Sequence, residues 1–282
     1  MGGIGRSWDL VWESFAVLKS DKELVFLPIL SAISSLAISV AILGVSAIFF
    51  MPEIGAFLTA GRQHPPLTQG MWACLFLFYL ANYFIVIFFN VALVSIASDR
   101  LNGGHATLND GLQIAWKRKR SIFEWAVLSA TVGIVLRALE ERMGWLGRMI
   151  VGLIGVAWTL ATYFVVPILA AEDMGPVEAL QRSATIFSET WGEELVGGFS
   201  FGLIFCLLAL PGIALFILGT MYGVMGTIAG AALALIYWLL LGVVSASVQG
   251  VFMAALYRYA TTKQVPPGFS AENLVDAWKP KR

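Results

Sequence analysis

Six apolar stretches dominate the pattern of the chain, at residues 24–50, 71–98, 121–136, 145–171, 195–218 and 226–257. A helix rises 1.5 Å per residue and needs about 20 residues to cross a hydrocarbon core of about 30 Å, so five of these runs predict transmembrane helices directly. The third gives only about 24 Å over its apolar-rich part. It either tilts as a partly re-entrant segment or, as expected here, crosses by continuing through Arg137 and the Glu140/Glu141 pair near the far surface. Pro52 is expected to close the first helix, because proline lacks an amide and its ring clashes with the preceding turn. Pro167 and the Pro211-Gly212 pair predict kinks in the fourth and fifth spans.

An amphipathic segment precedes each pair of apolar runs. Val177, Leu180, Ala184, Phe187 and Trp191 fall in a sector of about 80° on a helix of 3.6 residues per turn, with Glu178, Arg182, Thr185 and Glu189 turned away. Trp8, Val11, Trp12, Phe15 and Leu18 make a broader stripe, and Leu108, Leu112, Ala115 and Trp116 a shorter one behind a Thr107-x-x-Asp110 cap. The segments are also related in sequence. A shift of 176 positions superposes Arg6, Ser7, Leu10 and Glu13 on Arg182, Ser183, Ile186 and Glu189, and a shift of 68 brings Asp110, Leu112 and Gln113 onto Glu178, Leu180 and Gln181. The expected fold is therefore an all-α polytopic membrane bundle: six transmembrane helices as three hairpins, each preceded by a cytoplasmic interfacial helix. The units are about 4–98, 105–171 and 176–258, within one domain over 1–282 that ends in a short cytoplasmic tail, 259–282. The amphipathic helices either lie with their apolar faces in the acyl boundary or pack on the inner mouth of the bundle as collars.

Charge supplies the orientation. With both termini cytoplasmic, fourteen of the eighteen lysines and arginines lie inside, and only Arg62, Arg137, Arg142 and Arg148 lie outside. Composition agrees with a membrane protein, at 59% hydrophobic and 13% charged residues, with zero net charge and nothing that points to nucleic acid. The first 23 residues carry four acids, and the run behind them is far longer than a signal-peptide core of about 7–15 residues, so it is read as a retained span. Cys74 and Cys206 sit inside apolar runs and read as small core residues.

Three sets of residues stand out as candidates. Asn82 and Asn90 on the second span and Gln249 in the sixth could form a polar lining for a solute path, or simply hydrogen-bond between helices. Lys117, Arg118, Lys119 and Arg120 form the sharpest basic cluster, either a contact for anionic lipid or an anchor that keeps this end of the third span inside. Gly226, Gly230, Ala234, Gly242, Ala246, Gly250 and Ala254 make a small-residue ridge, interrupted by Trp238, along which a second helix can approach closely, within the bundle or in a homo-oligomer.

Catalytic chemistry is hard to find. His64 and His105 fall on opposite faces in this topology, and no nucleophile elbow, metalloprotease motif or P-loop occurs. No cofactor is implied, and Asp99, Asp110, Glu172 and Asp173 lack the spacing of a phosphate-coordinating acid motif.

The opening Arg6-Ser7-Trp8 through Leu18-Lys19-Ser20-Asp21-Lys22-Glu23-Leu24, then Phe26-Leu27-Pro28, together with Ala255 to Thr262 and Val265-Pro266-Pro267-Gly268-Phe269, resembles a prokaryotic family of uncharacterised six-span membrane proteins. The resemblance implies a bacterial or archaeal cytoplasmic membrane and brings no activity with it. A looser likeness links the repeated interfacial helix to membrane domains attached to some glycerophosphodiesterases, and it transfers no active site. The expected function is a non-catalytic scaffold, assembly or stress-related module that binds membrane lipids or a protein partner. The alternative is a transporter or channel for a neutral solute or lipid.

Overall fold

The computed structural model describes residues 3–59, 69–191 and 201–270, and every regular element in them is helical. In chain order these are α1 (Gly3–Ser20), a 3-10 turn (Lys22–Val25), α2 (Phe26–Thr59), α3 (Gln69–Leu101), α4 (Leu108–Lys117), α5 (Lys119–Arg142), α6 (Trp145–Ala161), α7 (Val165–Ala171), α8 (Pro176–Trp191), α9 (Phe201–Thr220) and α10 (Gly223–Thr262). Among the described residues five helical segments are long and apolar enough to cross a membrane: Lys22–Met51, Gln69–Leu101, Lys119–Arg142, Trp145–Ala171 and Gly223–Thr262. A sixth, Ile204–Thr220, is apolar but shorter.

Several boundaries differ from those read in the sequence. Helix α2 runs through Pro52 to Thr59. A proline costs one helical bond and a local clash, which an otherwise long apolar helix can absorb where a water-exposed one would end. Helix α5 is continuous to Arg142, about 36 Å long, and passes the charged turn where Arg137 pairs with Glu141 at 3.2 Å. The fourth stretch is broken rather than bent: α6 stops at Ala161 and α7 starts at Val165, two residues ahead of Pro167, which has no amide to donate to the preceding turn. Pro211 lies inside a continuous α9, and residues 195–200 of the predicted fifth span lie outside the described residues. Helix α10 has 40 residues, about 60 Å, twice the hydrocarbon thickness.

That surplus length has a use. The buried residues of α3 are concentrated from Val91 to Leu101 and those of α10 from Ser247 to Ala260. Around these two ends pack α1, α4, α7 and α8. Val91, Ala92, Leu93, Phe164, Val165, Ile168, Val248, Val251 and Leu256 all have no accessible surface, so this end of the molecule has a close-packed core like that of a water-soluble domain. Elsewhere the helices expose apolar surface: Ile48, Phe49, Trp145, Leu153, Val224 and Leu240 are each more than half accessible. Cys206 is likewise exposed and Cys74 half-buried, so neither is the core residue expected from its apolar surroundings.

Candidate binding site at the collared end

The collar helices do not bury the stripes that their hydrophobicity suggests. In α1 the buried line is Leu10, Ser14 and Leu18, four residues apart, while Trp8 and Trp12 of the expected face are exposed and stack edge to face at 6.0 Å. In α4 it is Gly111 and Ala115, with Leu112 half-buried and Trp116 exposed. In α8 it is Ala179, Ser183, Ile186 and Phe187, with Val177 exposed. Each helix thus packs on the bundle along a narrow line and keeps part of its apolar flank uncovered. Gly111 shows why the line must be narrow: a Cβ there would lie 2.5 Å from the Ile96 side chain and 2.8 Å from the Ala92 carbonyl.

The starts of α4 and α8 are built alike. Thr107 caps α4, donating its amide to Asp110 Oδ2 at 2.8 Å and accepting from the Asp110 amide. Sixty-eight positions on, the Gly175 amide donates to Glu178 Oε2 at 3.0 Å, and Pro176 takes the first helical position. The bonds from Thr107 hold the Asp110 carboxyl below the ordinary aspartate range.

Ser183 explains the break in the fourth stretch. Its Oγ, fully buried, accepts from the Phe164 amide at 2.9 Å, supplying the partner that this amide lacks at the start of α7. Phe164 is itself enclosed by Tyr163, Phe187 and Tyr257, with ring centroids 5.1, 6.3 and 6.1 Å away.

Beside α7 a cavity of about 240 Å³ opens between Ser95, Ser98, Asp99 and Asn102 of the α3 end, Ile114, Pro167, Ala170, Ala171 and Tyr257. Its polar wall is tied to the surrounding loops. The Tyr257 hydroxyl donates to Glu172 Oε1 at 2.6 Å, and Arg182 Nε stands 3.7 Å from the same oxygen. Asp99 accepts the Ala106 amide at 2.8 Å, and Gly104 leaves the space its carboxylate fills. Arg100 joins the start of the chain to this loop, 3.2 Å from Asp21 and 3.7 Å from Glu23 while donating to the Ala106 carbonyl. Arg118 pairs with Asp173, and Arg258 donates to the Leu101 carbonyl. The cavity wall offers the hydroxyls of Ser95, Ser98 and Tyr257, the Asp99 carboxylate and the Asn102 amide. Among the described residues no group of three or more His, Cys, Asp or Glu is placed to hold a metal ion. His64 lies outside the described residues and His105 is exposed in the α3–α4 loop.

The residues singled out from sequence are dispersed. Asn82 exchanges hydrogen bonds with Ser39 of α2 at 3.1 and 3.3 Å and donates to the Phe78 carbonyl, Asn90 is half-buried on the same helix, and Gln249 is exposed and donates to Ser245 of its own helix. None of them lines the cavity beside α7. The ridge on α10 faces three environments. Gly226 and Gly230 lie against α9, where an added Cβ would meet the Gly219 and Leu215 carbonyls at 2.6 and 2.8 Å, and Ala234 is fully buried. Gly250 faces Leu93 of α3 and Ala254 is fully buried, whereas Gly242 is open and Ala246 intermediate. Trp238, which interrupts the ridge, sits over Gly212 and donates from Nε1 to the Ala209 carbonyl at 3.0 Å; Tyr237 reaches the neighbouring Leu208 carbonyl. Both carbonyls belong to the turn before Pro211, where the helical ladder is interrupted. Sequence reading missed Ser95, Ser98, Ser183 and Tyr257, because a lone hydroxyl in an apolar run carries no signal of what it faces.

The two ends of the chain that carry the family-like motifs meet. Phe269 and Pro266 are buried, Gly268 adopts φ 87° against Val17, and the Ser270 amide donates to Glu13 at 3.3 Å. No curated protein and no solved structure gives a significant match to this chain. A family model does match residues 69–267, more than half of the chain though not the motif at its start, and the chain therefore belongs to the family of unknown function DUF6159.

Proposed function

We propose that this protein is a non-catalytic module of a prokaryotic cytoplasmic membrane, with six spans in three hairpins and both termini in the cytoplasm. Its collared face binds membrane lipid or a protein partner and acts as a scaffold or assembly surface. The observation that carries this reading is the closed apolar core where α3 and α10 pass through the collar, with Val91, Leu93, Val251 and Phe252 at or near zero accessibility. A solute path between these four side chains would need a polar lining, and they are all apolar. The engagement of Asn82 with Ser39 and the outward position of Gln249 support the same reading. The ion pairs of Arg100, Arg118 and Arg182 act as ties between loops.

Native mass spectrometry after gentle extraction is the test, with retained lipid or a protein subunit as the expected result. A bare monomer that conducts a neutral solute in proteoliposomes would overturn the proposal. Orientation is tested by changing Lys117, Arg118, Lys119 and Arg120 together to glutamate. The variant is expected to insert poorly or inverted, and an unchanged protease-accessibility map would remove the topology argument.

A further inference from the structure

The four basic residues at the α4–α5 junction do not act as one patch. Arg118 is paired with Asp173 and Arg120 with Glu124 at 2.9 Å, so both arginines have carboxylate partners. The two lysines have none among the described residues. Lys119 instead lies over the Trp116 ring, 4.1 Å from its centroid. Lys117 is on the wall of an open groove of about 350 Å³ that it shares with Phe88, Asn109, Leu112, Gln113 and Trp116.

This groove is amphipathic across its width. Phe88, Leu112 and Trp116 form an apolar side, and Trp116 is 62% accessible although it is one of the largest apolar groups on α4. Asn109, Gln113 and Lys117 stand four residues apart, one above the other on α4, and present amide and ammonium donors along the opposite side. A free inorganic anion would use only the donors, and an uncharged hydrophobe only the ring and leucine. A lipid with an anionic headgroup matches both sides, with charge complementarity to the two unpaired lysines and an indole at the depth where headgroup meets acyl chain.

We propose that the α3–α4 groove is a binding site for an anionic phospholipid. Lys117 and Lys119 hold its phosphate, Gln113 and Asn109 its polar headgroup atoms, and Phe88, Leu112 and Trp116 the first part of its acyl chains. The inference rests on the reading of the collar as an interfacial structure and narrows the ligand to one class and one place.

The test is a native mass spectrometric titration of the full chain with phosphatidylglycerol and with phosphatidylcholine of the same acyl chains. Wild type is expected to retain phosphatidylglycerol in preference. K117Q/K119Q should lose that preference by about twenty-five-fold, at about 1 kcal/mol or five-fold per charge, while phosphatidylcholine binding stays the same. R120Q, which removes one charge from a residue already paired, should change the preference by less than about two-fold rather than the roughly five-fold expected for one free lysine. Equal losses in K117Q/K119Q and R120Q, or no loss in the lysine variant, would overturn the assignment. So would displacement of the lipid's signal by inorganic phosphate at equal affinity, which would make the groove an anion site. Retention of other lipids or of a protein subunit without any phosphatidylglycerol preference would sink the groove and leave the module reading standing, whereas a bare, conducting monomer would remove both.

Discussion

The collared end and the hairpin end of this molecule are made of similarly apolar helices, yet they are held together differently. Around residues 91–101 and 247–260 most of the large apolar side chains are buried, and buried serines at this end find partners: Ser14 donates to the Leu10 carbonyl, Ser247 to the Val243 carbonyl, and Ser183 accepts the Phe164 amide. At the other end, α2, α6 and the first half of α10 leave most of their large apolar side chains accessible. In water that surface would be a severe liability. In a bilayer it is solvated by lipid, and only close backbone approach or interhelical hydrogen bonds add stability. Apolar burial therefore organises one end of the protein, and small-residue contact the other.

Glycine substitutions should separate the two regimes most sharply. Gly111→Leu drives a side chain into Ile96 and the Ala92 backbone, and is expected to cost about 3 kcal/mol or more and lower the detergent melting temperature by several degrees. Gly152→Leu, on an open face of α6 with no atom within 4 Å, should change it by less than about 0.5 kcal/mol. Equal effects would dissolve the distinction between a packed and a lipid-facing region. Gly230→Leu sharpens it, since Gly230 lies in the hairpin region but meets α9 backbone. A loss there comparable with that of Gly111→Leu, read in the same melting experiment, is expected from steric conflict alone.

A smaller effect is expected from Ser183→Ala. Removing the acceptor for a buried amide costs about 1–3 kcal/mol, and exchange of the Phe164 amide should quicken. Thr227→Ala in α10, whose hydroxyl bonds only its own helix at Gly223, provides the control and should leave stability nearly unchanged. The smallest effect concerns the exposed cap of α4. Because the folded Asp110 carboxyl titrates below its unfolded value, its contribution is present above the ordinary aspartate range and is lost as pH falls through the folded value. Amide exchange in the first turn of α4 should therefore rise in acid, and Asp110→Asn should flatten that dependence.

Long apolar runs made the helices legible, and the Thr107-x-x-Asp110 cap was legible because its residues are adjacent in sequence and chemically specific. The faces were not. Trp8 and Leu10 are similar by hydrophobicity, but one is 42% accessible and the other 1%, because lipid and protein interior are nearly the same solvent to an apolar side chain. The cavity beside α7 was invisible for another reason: Ser98, Pro167 and Tyr257 come from three elements far apart in the chain.

What the sequence by itself determined is an all-helical chain with several apolar helices long enough to cross a membrane, and the clustering of positive charge, since each depends on a run of neighbouring residues and on the cost of placing polar groups in lipid. Only the tertiary structure decided that α3 and α10 project into a close-packed collar, that Ser183 completes the broken fourth stretch, that Lys117 and Lys119 have no carboxylate partner among the described residues beside an open groove, and that Glu13 and Val17 meet residues 268–270. Those outcomes depend on which residues meet from separate elements, 19 positions apart for Ser183 and Phe164 and 257 for Ser270 and Glu13, and the local pattern of polarity does not encode such meetings.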